Sequence, residues 1–134
     1  MSMPPGTPYL QPANAVTVIR GASKTFMLSV VEPNGKPKDL SGATIYFTVK
    51  EKLADLDPII QKKSTDSNQI LILNAKAGIA HIHLHPGDTA HLEPKEYVFD
   101  VWVVLFDGVR CPVIPPSVFE VAAAVTVLPP GRVS

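Results

Sequence analysis

The sequence has a single cysteine, Cys111, so no disulfide can close within it. Such usage fits folding in a reducing compartment. It also has no charge of either sign to spare, with 12 Lys and Arg against 12 Asp and Glu. A neutral chain without a basic run has no electrostatic footprint for nucleic acid, and no polybasic segment for an anionic membrane. No apolar run approaches the ~20 residues of a membrane-spanning helix. The opening Met-Ser-Met-Pro-Pro-Gly lacks the charged and apolar regions of a signal peptide, so a soluble chain without one is expected. Neither a Gly-x-Ser-x-Gly elbow nor a glycine-rich phosphate loop occurs. Cys111 has Arg110 beside it, but Pro112 follows, and a packing role is expected. No segment sustains a 3.6-residue apolar period, which argues against helices.

What is present is short-range alternation. Residues 43–50 place Ile45, Phe47 and Val49 on one face and Thr44, Tyr46, Thr48 and Lys50 on the other. Strands are also expected at 16–20, 24–31, 59–62, 69–73, 79–85, 97–106, 109–114 and 118–128. Asn34-Gly35 and Asp107-Gly108 are hairpin signals. Helical turns are expected at 51–57 and at 86–92, where Pro86 suits a first position. A 134-residue chain fits one domain. Seven to nine short strands over roughly 110 residues predict an all-β fold, an immunoglobulin-like antiparallel β-sandwich, without the inter-sheet disulfide. The sandwich is expected over residues 15–128. Residues 1–14, with Pro4, Pro5, Pro8 and Pro12, form an extended proline-rich arm favouring polyproline conformation, and 129–134 form a short tail.

Three stretches resemble a known family. They are Arg20-Gly21-Ala22-Ser23-Lys24-Thr25-Phe26, then Asn34-Gly35-Lys36-Pro37-Lys38-Asp39-Leu40-Ser41-Gly42-Ala43-Thr44 with Phe47-Thr48-Val49-Lys50, and Pro86 to Leu92 followed by Tyr97-Val98-Phe99-Asp100-Val101. In order and spacing they resemble the N-terminal immunoglobulin-like domain of tailed-phage upper-baseplate proteins. Pro94-Lys95-Glu96 departs from the small residue and glycine usual there, and the long C-terminal extension of that family is missing from this sequence. The resemblance implies a non-enzymatic structural component of a tailed-bacteriophage virion, in the baseplate or tail or as a capsid decoration or cement protein. Its partners would be other virion proteins, and it would be assembled in the host cytoplasm.

Candidate sites follow from strand parity. Tyr97, Phe99, Val101 and Val103 are expected in the core, with Val98, Trp102, Val104 and Phe106 facing out. On the last strand Phe119, Val121, Ala123 and Val125 are expected inward and Ala122 and Ala124 outward. If the two strands are neighbours, Trp102, Val104, Phe106, Ala122 and Ala124 form one exposed apolar patch, a contact surface. Tyr9 and the arm prolines are further contact candidates. A self-complementary patch predicts a homo-oligomer, a trimer by first choice.

His81, His83 and His85 share one strand face, ~6–7 Å between neighbours, and could share a structural metal ion. That is the one cofactor the sequence suggests, and a small metal-dependent enzyme on this face is a rival reading. Another rival is a carbohydrate-binding module stacking sugars on Tyr46 and Trp102. An Asp100–Glu120 carboxylate pair would need ~5–9 Å separation to act as a glycosidase dyad.

Overall fold

A computed structural model of the chain describes residues 15–126. The expected arm at 1–14, with Tyr9, and the tail at 129–134 lie outside the described residues. The elements run β1 (Val16–Ile19), β2 (Lys24–Ser29), β3 (Thr44–Lys50), β4 (Ile60–Lys63), β5 (Ile70–Asn74), β6 (Ile79–Leu84), α1 (Pro86–Thr89), β7 (Lys95–Val104) and β8 (Arg110–Ala122). They form a five-stranded sheet, β1-β8-β7-β3-β4, packed on a three-stranded sheet, β2-β6-β5. All pairs are antiparallel except β1 with β8, which is parallel. The chain leaves one sheet after β1 and enters the other at β2, turning at Gly21 with φ 79°. This is an immunoglobulin-like β-sandwich, its larger sheet extended past the β8-β7-β3 triplet by β4, as in variable-type domains.

Alternation builds the core. In β3, Ile45, Phe47 and Val49 are buried, and β7 contributes Tyr97, Phe99, Val101 and Val103. The rings of Phe47, Phe99 and Phe119 meet at centroid separations of 5.6, 6.2 and 6.2 Å, tilted or edge-on. Tyr97 buries its ring two residues before Phe99, and its hydroxyl donates to the Glu93 carbonyl at 2.7 Å. That contact is the tyrosine corner of the fold, which puts Phe99 where antibody domains hold their second cysteine. Tyr97→Phe is expected to cost about 1–2 kcal/mol by urea denaturation, because the carbonyl loses its partner. Burial also raises the phenol above its ordinary value of 10.0. The folded state thus holds this proton more tightly than the unfolded chain. Stability should fall as pH rises above 10.0, where the unfolded phenol ionises first, and Tyr97→Phe should remove that slope.

The β1–β2 turn and α1 meet in space. The Arg20 Nε donates to the Ala90 carbonyl at 2.9 Å, and the Gly21 N–H donates to the buried Thr89 Oγ1 at 2.8 Å. The β1–β2 turn is thereby tied to α1. In the middle stretch, Asp39 Oδ1 accepts the Ser41 N–H at 2.9 Å and the Ser41 hydroxyl at 2.6 Å. Gly42 follows at φ 71°, and a Cβ there would lie 2.8 Å from the Phe106 ring. The left-handed backbone is what requires glycine.

Several sequence expectations change. Residues 109–114 and 118–128 are not two strands but parts of one, β8, because Pro115 and Pro116 are taken up in irregularities where the β7 register shifts. The strand ends at Ala122, so Ala123 and Val125 are exposed and not in the core. Residues 51–57 form turns and bends without a helix. The edge strand β4 holds a finding of its own. Ile60 and Lys62 both point inward, and the buried Lys62 ammonium reaches Asp88 of α1 at 2.7 Å.

Candidate docking face

The outer face of the five-stranded sheet gathers aromatic and apolar side chains at mid-height. Trp102 of β7 lies opposite Tyr46 of β3 on one side and Pro112 of β8 on the other. Directly opposed cross-strand residues have Cβ atoms ~4.5–5.5 Å apart, so the three form a continuous row. Lys63 extends it, opposite Tyr46 with its Nζ 5.8 Å from the ring centroid. The indole N–H of Trp102 donates to Asp100 Oδ2 at 3.0 Å, which orients the ring along its own strand. Trp102 is 38% exposed. Val104 stands next along β7, and Phe106, 85% exposed, sits beyond it at the hairpin tip.

Proline is tolerated in β8 because the strand is half an edge. β1 pairs only with Phe119 to Ala122, leaving residues 110–118 with one open side among the described residues. Pro112, Pro115 and Pro116 lie along that open stretch. Lacking N–H groups, they make it a poor template for another strand, a common guard on exposed edges.

Of the expected patch, Trp102 and Val104 share the outer face of β7, Phe106 lies past the strand end beside Gly42, and Ala122 and Ala124 lie apart from them. β7 and β8 are neighbours, but they run antiparallel with Trp102 opposite Pro112 and Lys95 opposite Val121. Ala122 therefore lies roughly 25–30 Å down the strand from the Trp102 row. Ala124 lies beyond the end of β8. Parity alone named the right face for Ala122 and missed the register. It equally hid Tyr46 and Pro112, whose parity was legible but whose partner was not.

Below the row is a shallow depression of about 50 Å³, lined by Thr48, Lys50, Leu53, Val98, Asp100 and Pro116 among others. Ligand pockets for small molecules run ~300–1,000 Å³, so this one suits a side chain and not a substrate. The carboxylate dyad does not assemble. Glu120 lies opposite Glu96, roughly 13 Å along β7 from Asp100.

The histidines lie on the other sheet. His81 and His83 share the outer face of β6, with ring centroids 6.3 Å apart and edge-on. His81 is opposite Met27 and Leu71, and His83 Nδ1 is 3.1 Å from the Thr25 hydroxyl. His85 departs from the expected trio. The chain turns into α1 at Pro86, and His85 Nε2 sits 3.0 Å from the Asn68 carbonyl. Among the described residues no three His, Cys, Asp or Glu side chains are gathered to hold an ion.

No family model matches the chain, and no curated protein matches it. Among solved structures, murine CRIg is similar over 82% of this chain and 92% of that chain, at 14% identity and a TM-score of 0.39. The class rests on the strand order and the tyrosine corner described above.

Proposed function

We propose that this chain is a docking component of a tailed-bacteriophage particle, a baseplate or tail accessory or a capsid decoration protein, that works by adhesion and not by catalysis. The observation that carries the docking is the Tyr46–Trp102–Pro112 row on an otherwise polar-edged sheet face. Tryptophan and tyrosine are preferred anchors of protein interfaces, where a few such residues supply most of the binding energy. The assignment to a phage particle is supported by the family resemblance of residues 20–26, 34–50 and 86–101. The partners are other virion proteins, with further copies of the chain in a homo-oligomer, first of all a trimer.

The test is incorporation into particles. Wild-type protein is expected in purified virions by mass spectrometry. Trp102→Glu, supplied in its place, should be incorporated at least about tenfold less, the loss of one anchor worth ~1.4 kcal/mol or more. Equal incorporation would remove the face from the proposal, and absence of the wild-type protein from particles would overturn the virion reading. The same aromatic pair suits sugar stacking, so a glycan array that captures the wild type but not Trp102→Glu would transfer the face to carbohydrate recognition.

A further inference from the structure

The smaller sheet, on the other side of the sandwich from the Trp102 row, is nearly free of charge. Apart from Lys24, whose ammonium donates to the Thr17 carbonyl at 2.8 Å, β2, β5 and β6 contain no Lys, Arg, Asp or Glu. Across the outer face Met27, His81 and Leu71 lie opposite one another in one row. Met27 is 68% exposed, Leu71 37%, and Leu73, at the irregularity of β5, 56%. Solvated sheet faces are ordinarily polar, so an uncharged apolar one marks a contact surface.

His81 and His83 stand in this surface, half-buried, with ring centroids 6.3 Å apart. Imidazoles two residues apart on one strand face can hold a single ion once their rings turn toward each other, each nitrogen ~2.0–2.1 Å from it. His83 is already braced for this. Its Nδ1 is 3.1 Å from the Thr25 hydroxyl, so Nδ1–H can donate there while Nε2 gives its lone pair to a metal. A bond of that kind at the second ring nitrogen is the usual support of a ligating histidine.

Two imidazoles are half of a tetrahedral zinc set. The other half is not found in the same copy. Among the described residues no third His, Cys, Asp or Glu is gathered with them, and residues 1–14 and 127–134 contain none of those four types. A second copy supplies the missing pair if the two faces meet across a two-fold axis, because such a contact sets each patch against itself. Met27 and Leu71 flank His81 and would be covered by the same contact, with no like charges to oppose it.

We infer that His81 and His83 form half of a zinc site completed by the same two residues of a second copy, so that zinc clamps two copies through the outer face of the β2-β6-β5 sheet. The inference uses no residue of the Tyr46–Trp102–Pro112 row and is independent of the virion reading.

The test takes the full chain, purified without a histidine tag and stripped with EDTA, and titrates it with zinc alone while mass is followed by light scattering. Mass should at least double over that of the stripped protein, saturating at about one zinc per two chains, and excess EDTA should reverse it. Cobalt(II) in place of zinc should give the intense visible absorption of a tetrahedral site. The double variant His81→Gln, His83→Gln should lose both responses, and its thermal unfolding without metal should match that of stripped wild type. Met27→Glu keeps the ligands but sets a carboxylate in the contact, and should raise the zinc needed for association at least about tenfold. Trp102→Glu should respond to zinc as wild type does. A mass that zinc leaves unchanged overturns the inference, as does zinc bound one per chain by a protein that stays at its stripped mass. Association that persists in the double histidine variant, or that is lost in Trp102→Glu, overturns it equally, since the clamp would then lie elsewhere.

Discussion

Phe47→Ala is expected to lower the unfolding free energy by about 3–5 kcal/mol, the range for truncating a buried aromatic ring in a core that relaxes only partly. Phe47 is 1% exposed and packs against the rings of Phe99 and Phe119, which come from the two strands beside and beyond it in the same sheet. In antibody domains this part of the sandwich holds a tryptophan packed on a disulfide. Here Cys111 is the sole cysteine, so three phenylalanines supply by packing what is elsewhere partly covalent. Aromatic pairs add about 0.5–1.5 kcal/mol beyond area burial, and Phe47 takes part in two of them. The check is equilibrium urea denaturation followed by circular dichroism, with Phe47→Leu alongside. Leucine refills much of the cavity and should recover more than half the loss. A Phe47→Ala cost below about 1.5 kcal/mol would mean the cluster is not the mechanical centre of the domain.

How much of this could be read from the sequence follows from the range of each interaction. The alternation in residues 43–50 and 97–104 is local, and both strands were legible with their buried faces assigned correctly. The turns at Asn34-Gly35 and Asp107-Gly108 are local as well, and Gly35 and Gly108 take φ of 84° and 89°. Register is not local. That Trp102 faces Tyr46 and not Ala122 depends on how β3, β7 and β8 slide past one another, and two irregularities in β8 alter that count by whole residues. The end of β8 was misjudged for a related reason. Residues 123 and 125 keep the inward parity of the strand, but β1 and β7 have no further residues to pair with them. His85 failed likewise, because a residue at a strand end follows the turn and not the strand.

The candidate docking face was half legible for the same physical cause. Outward parity marked Trp102, Val104 and Phe106, and a face needs neighbours to become a surface. Tyr46 was visible as an outward aromatic but had no partner until the β3–β7 pairing set one. The structure gives the reason that β8 accommodates its prolines. Among the described residues β1 covers only the last part of that strand, and the prolines guard the remainder against stray pairing.

Asp88→Ala is expected to cost about 3 kcal/mol, while Lys62→Met at the other end of the same ion pair should cost under about 1 kcal/mol. The asymmetry comes from burial. The Lys62 side chain is 6% exposed and that of Asp88 22%, at a separation of 2.7 Å. Without Asp88 the ammonium is left in the sandwich edge with no counter-charge, the case in which a buried ion is most costly. Asp88 also accepts the His85 N–H at 2.7 Å, so its loss undoes the cap of α1 as well. Without Lys62, by contrast, Asp88 keeps that backbone donor and contact with water, and methionine fills the vacated stem at similar volume. The double variant Asp88→Ala, Lys62→Met should then be more stable than Asp88→Ala alone, since it removes the stranded charge. If the two single variants cost the same, burial does not set the balance between them. If the double variant is the least stable of the three, the pair contributes through shape and not through charge. The distinction matters for the face on the other side of β3. β4 is the edge strand beside Tyr46, and the Lys62–Asp88 tie anchors it to α1 and through Thr89 to the β1–β2 turn. Loosening that anchor should weaken the docking row with no change in any residue that belongs to it.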